Sequence, residues 1–108
     1  MADEVFILDR ITVRPGRLGE YQARLRERYL PLARARGMTL VGQWFTPPIE
    51  LDDAPNDIVL LWSVPGPEGF WTMRRQARDP EITAWWAESD ALTLGRERRF
   101  MLPGEVDA

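Results

Sequence analysis

Two segments of the chain are apolar on both of their alternating faces, and nothing else in the sequence limits the fold as strongly. In Val5–Val13 one parity carries Val5, Ile7, Asp9, Ile11 and Val13, and the other Phe6, Leu8, Arg10 and Thr12. In Asp57–Val64, DIVLLWSV, Ile58, Leu60, Trp62 and Val64 alternate with Val59, Leu61 and Ser63. Branched and aromatic residues at this density predict strands. A sheet with helices on one side and water on the other alternates apolar with polar residues along each strand. These strands do not, so both faces of their sheet need cover.

The remaining segments decide how much cover the chain supplies. Pro15-Gly16 ends the first strand. Arg17–Arg36 then places Leu18, Tyr21, Leu25, Tyr29 and Leu32 at helical spacing. Pro31 is expected to kink this helix or split off its last turn, and Gly37 to end it. Thr39–Thr46 reads as a second strand, joined to Asp57–Val64 by the long connection PPIELDDAPN. After the break PGPEG, Phe70–Arg78 reads as a short helix. Asp79-Pro80, an N-cap followed by a first-turn proline, opens a further helix over Pro80–Thr93, and Arg96–Leu102 is a last strand. The order β-α-β-β-α-β, with its second helix broken in two, is the ferredoxin-like α+β pattern with a four-stranded antiparallel sheet. Right-handed crossovers put both helical segments on one face. The other face is left as an apolar patch of a kind that soluble monomers rarely expose. A twofold homodimer with two sheets packed face to face is therefore expected; the alternative is that the loop at 47–56 folds over that face.

With 108 residues, the chain suits a single domain, 1–108, with its core over 5–103. The net charge of −3 disfavours nucleic acid or an anionic membrane as partner. Cysteine is absent, so disulfide and thiolate chemistry are excluded. Histidine is absent too, which removes the commonest general base and haem ligand. MADEVFILDR sets acids before a short apolar run without a cleavage pattern, so neither a signal peptide nor a membrane span is expected, and the cytoplasm is the expected location.

The stretches LDRITVRPGRLGEY, LPLARARGMTLVGQWFTP, DIVLLWSV, ARDPEITAWWAE and ERRFMLP together resemble, in order, the NIPSNAP family of the dimeric α+β barrel superfamily. The resemblance covers nearly everything from Val5 to Pro103 and implies the same dimeric barrel. The wider superfamily includes cofactor-free antibiotic-biosynthesis monooxygenases, polyketide cyclases and several haem enzymes, many with a pocket between helices and sheet. NIPSNAP members are mostly uncharacterised, so the resemblance carries fold further than function. Without a histidine for iron the haem branches are set aside, and no cofactor is expected. Glu50, Asp52, Asp53 and Asp57 match no calcium-loop spacing, so no metal is expected either.

Asp9 is the polar residue that most needs explaining, because it shares its parity with Ile7, Ile11 and Val13. A buried carboxylate must find a partner or take up a proton. Unpaired in an apolar pocket, Asp9 would be a usable general acid or base. Paired with Arg75, Arg96, Arg98 or Arg99, it would be structural. The family pattern at this position differs, so no family role passes to it. Five tryptophans are either core and dimer-contact residues or the walls of an apolar cavity. Trp62 sits where the resembling monooxygenase branch carries a pocket tryptophan, and Trp44 lies on the neighbouring strand. Trp71 falls in the short helix. Trp85 and Trp86, about 100° apart on a helix, divide between core and a pocket or interface. Tyr21 and Arg75 are candidates to orient a substrate oxygen. The expected function is a cofactor-independent enzyme, of monooxygenase or cyclase/isomerase type, acting on a hydrophobic aromatic or polyketide-like molecule. Asp9, Tyr21 and Arg75 would be catalytic, and Trp44, Trp62, Trp71, Trp85 and Trp86 would bind substrate. The alternatives are a non-catalytic ligand-binding or interaction module and a purely structural dimer domain.

Overall fold

A computed structural model describes residues 4–104. β1 (Val5–Val13) is followed by α1 (Leu18–Arg24), a π-helical turn (Leu25–Tyr29) and α2 (Leu30–Ala35). Next come β2 (Thr39–Thr46), β3 (Asn56–Val64), α3 (Gly66–Arg75), a 3-10 turn (Gln76–Arg78), α4 (Pro80–Asp90) and β4 (Thr93–Met101). The strands form one antiparallel sheet in the order β2-β3-β1-β4. The α+β, ferredoxin-like arrangement expected from the element order is thus the one observed.

Three details differ from expectation, each for a local reason. The helix widens just ahead of Pro31, where the N–H of Leu30 bonds to the carbonyl of Leu25. Proline lacks an N–H and its ring crowds the carbonyl one turn back, and a π-helical turn before it accommodates both. α3 begins at Gly66 rather than Phe70, because Pro67 occupies the first turn, where a missing N–H breaks no bond. β4 begins at Thr93, which pairs with Val13 beyond a bulge, and α4 accordingly stops at Asp90. The end of α2 follows its glycine: Gly37, at φ +80°, donates to Arg34, and Met38 donates to the carbonyl of Ala33. These are the two bonds of a Schellman turn.

The inner face of the sheet holds the core. Val5, Ile7, Ile11 and Val13 of β1 and Ile58, Leu60, Trp62 and Val64 of β3 are buried. Against them pack Leu18, Tyr21, Leu25 and Tyr29 from the first helical segment and Met73, Ile82 and Trp85 from the second. Each such side chain contributes roughly 1.5–3 kcal/mol on burial. Among the described residues, no helix lies on the opposite face. There Phe6, Leu8, Val59 and Leu61 are half-buried by one another, and Trp44 is 55% exposed with its ring laid over Gly42, where a Cβ would meet it at 2.4 Å. The connection at 47–56 does not cover this face: it hydrogen-bonds at the start of α1, through Gly16 N–H to Leu51 and Gly19 N–H to Glu50. The molecule measures 47 × 42 × 19 Å, as thin as one sheet plus one layer of helices. Among the described residues, no helix is long and apolar enough to cross a membrane.

Candidate functional site

Asp9 lies mid-way along β1 on the inner face and is 4% exposed. Its neighbour across the sheet on β4 is Arg98, whose Nε donates to Oδ1 at 2.6 Å and whose Nη2 donates to Oδ2 at 2.8 Å. A third donor comes from β3. Trp62 is paired with Ile7, one inward-facing position from Asp9, and its Nε1 donates to Oδ2 at 2.9 Å. Three N–H donors converge on the carboxyl group, two of them from a guanidinium in a bidentate pair. Burial by itself would depress the basicity of Arg98, but the hydrogen bonds to Asp9 and its charge outweigh this and push it up. The pair ties β1 to β4.

Tyr29 stands beside this pair at the centre of an aromatic cluster. The widened turn that ends at Tyr29 brings its ring edge-on to Trp62 at 5.7 Å, stacked on Trp85 at 5.5 Å, and against Trp86 at 5.4 Å. Its hydroxyl accepts long hydrogen bonds of 3.4 Å from Arg98 Nη2 and from Arg36 Nη1. Arg36, the C-cap residue of α2, is 6% exposed. It also donates from Nη2 to the carbonyl of Met73 at 3.0 Å and to that residue's sulfur at 3.1 Å. Its Nε is buried without a partner, as is Nε1 of Trp85.

A cavity of about 350 Å³ opens beside these groups, between the β1–β4 side of the sheet and the end of α3. Its polar wall is Asp9, Arg98, Arg96, Glu97 and Arg36, and its apolar wall is Ile11, Met73, Ala77 and Trp86, with Arg74 also contributing. The Arg96 guanidinium lies 4.2 Å above the Trp86 ring, a cation–π contact, and reaches Asp90 at 2.9 Å.

The residues singled out in the sequence fall in different places. Asp9, Trp62 and Trp86 meet at or beside the cavity. Trp85 is in the core. Tyr21 is also fully buried, 6.1 Å from Trp85; burial first, and the charge of Asp9 second, push its hydroxyl well above the usual phenol range, so it stays a neutral donor. Trp44 is on the uncovered face of the sheet, and Trp71 is exposed on α3 against Phe70. Arg75 is exposed and turns back to Thr72 at 3.2 Å, so it does not join the cavity. Of the arginines offered as partners for Asp9, Arg98 is the one in register. Arg36 was not singled out; its available signal was its place directly before a helix-ending glycine. Among the described residues no cluster of acids is placed to hold a metal ion.

No family model matches the chain, and no curated protein matches it. Solved structures do. A NIPSNAP family protein from Agrobacterium tumefaciens is 20% identical, covering 99% of this chain and 91% of its own, with a TM-score of 0.73. An uncharacterized NIPSNAP domain protein from Burkholderia xenovorans is 17% identical, covering 96% and 98%, with a TM-score of 0.72. SnoaB, a cofactor-independent oxygenase from Streptomyces nogalater, is 20% identical, covering 97% of both chains, with a TM-score of 0.62. The chain has the fold these proteins share.

Proposed function

We propose that this protein is a cofactor-independent homodimeric enzyme. It binds a hydrophobic, polyketide-like aromatic molecule in the cavity between sheet and helices and promotes its ionisation, with the proton passing to water, the step shared by oxygen insertion into an electron-rich phenol and by cyclisation or isomerisation. The observation that carries this reading is the cavity itself: an apolar wall of Ile11, Met73 and Trp86 faces preset guanidinium groups. Such groups stabilise a developing enolate or phenolate without reorganising, which is the largest contribution in many enzymes. Asp9 acts by holding Arg98 in place, one hydrogen bond to each of its oxygens. SnoaB is described as a cofactor-independent oxygenase, and its likeness in fold supports the class of reaction proposed. The uncovered apolar face of the sheet supports the homodimer.

One observation favours a second reading, a ligand-binding module without catalysis. The acids on the cavity wall, Asp9 and Glu97, are both ion-paired, so the wall offers no free proton acceptor among the described residues. Anthrone, a tricyclic carbon acid, separates the two. The enzyme is expected to accelerate solvent deuterium exchange at its acidic CH2 above the buffer rate, followed by NMR. Binding with exchange at the buffer rate leaves the module, and no binding at all removes both.

A further inference from the structure

Arg36 presents a charge that its surroundings do not balance. The other cations at the cavity have carboxylate partners or lie at the surface: Arg98 is paired with Asp9 and Arg96 with Asp90, and Arg74 is exposed. Arg36 is buried, yet no carboxylate among the described residues lies within ion-pair distance of it; its partners are a carbonyl, a thioether and a phenol. Burial above all lowers its basicity; Tyr29 opposes this by its charge and its hydrogen bond, the charge of Arg98 lowers it further, and Asp79 opposes it most weakly. Buried charges are ordinarily paired, because an unpaired one carries most of its desolvation penalty. An arginine here is therefore a standing cost to the empty protein unless something supplies the missing anion.

We infer that the cavity takes an aromatic carboxylic acid, its carboxylate directed to the Arg36 guanidinium and its rings against Ile11, Met73, Ala77 and Trp86. This inference rests on the pocket reading above and narrows its substrate class. The Arg36 Nε–H is buried without a partner, and one carboxylate oxygen matches that donor in a charge-assisted hydrogen bond; a dianionic phosphate would call for more buried donors than Arg36 provides. Arg74 and Arg96 on the same wall draw an anion inward. At about 350 Å³ the cavity is near the lower end of ligand pockets, roughly 300–1,000 Å³, and suits two or three fused rings.

The test is calorimetric titration of the full chain with 2-naphthoate and with its neutral isostere 2-naphthamide, the Trp86 indole N–H resonance locating the site. Naphthoate is expected to bind at least tenfold more tightly than the amide. Arg36→Met is expected to remove that preference, weakening naphthoate at least tenfold and changing the amide less than twofold. It is also expected to melt no lower than the parent without ligand, since it removes an unbalanced charge. Equal affinity for acid and amide, with Trp86 responding to both, overturns the inference and leaves the apolar pocket intact. Binding of neither overturns both. If Arg36→Met does not fold, Arg36→Lys decides: keeping the charge, it must keep a preference for the acid, and loss of that preference with the fold intact overturns the proposal.

Discussion

Asp9 and Arg10 are neighbours on β1, and each makes an ion pair across the sheet, but on opposite faces. Asp9 pairs with Arg98 beneath the helices, with side chains 5% and 22% exposed. Arg10 pairs with Asp57 on the bare face at 2.8 Å, its own side chain 63% exposed. The geometry is similar, since Asp57 is also held by Thr12 at 2.8 Å. The surroundings are not. Under the helices the Asp9 carboxylate is almost wholly withdrawn from water, so it depends on its partner, and removing Arg98 strands it. On the open face water and salt substitute for a missing partner, and such pairs contribute little. The contrast identifies which face the single chain has finished and which it has left open.

The largest effect expected from breaking this contrast is that of Arg98→Met. It leaves Asp9 buried with Trp62 as its one remaining donor and should lower stability by about 3–5 kcal/mol, read from denaturant unfolding. A loss below about 1 kcal/mol would show that water reaches Asp9 and that the inner face is not closed. Next is Leu61→Asp on the open face. If two sheets pack there, the charge should turn a dimer into a folded monomer in sedimentation while the cavity still binds ligand; an unchanged mass would remove the homodimer from the proposed function. The smallest effect is that of Asp57→Asn. Desolvation pulls the Asp57 carboxyl upward, but hydrogen bonds from Arg10 and Thr12 and the charge of Arg10 win, and its net shift is downward. A carboxyl group lowered on folding contributes stability above its unfolded value of about 3.9 and loses it as the pH falls through the folded value. Asp57→Asn should thus shift the unfolding midpoint slightly at neutral pH, and by less as the pH falls through the acid range. A shift as large as that of Arg98→Met would mean that the open face is as dry as the inner one.

The sequence by itself determined the element order, the two-sided strands and the position of Asp9 among inward-facing residues. These follow from periods of two and 3.6 residues, which local patterns carry. It also marked the end of α2 at Gly37 and the start of α4 at Asp79, because caps are short-range chemistry: Asp79 accepts from the Glu81 N–H at 2.8 Å. Only the tertiary structure decided that Arg98, and not Arg75, meets Asp9, that Trp44 and Trp71 stand away from the cavity while Trp86 lines it, and that Arg36 lies buried without a counter-ion. Those facts depend on strand register and on how one helix end meets another element, and residues 27 or 89 positions apart, such as Arg36 and Asp9 or Asp9 and Arg98, leave no mark on each other's local pattern.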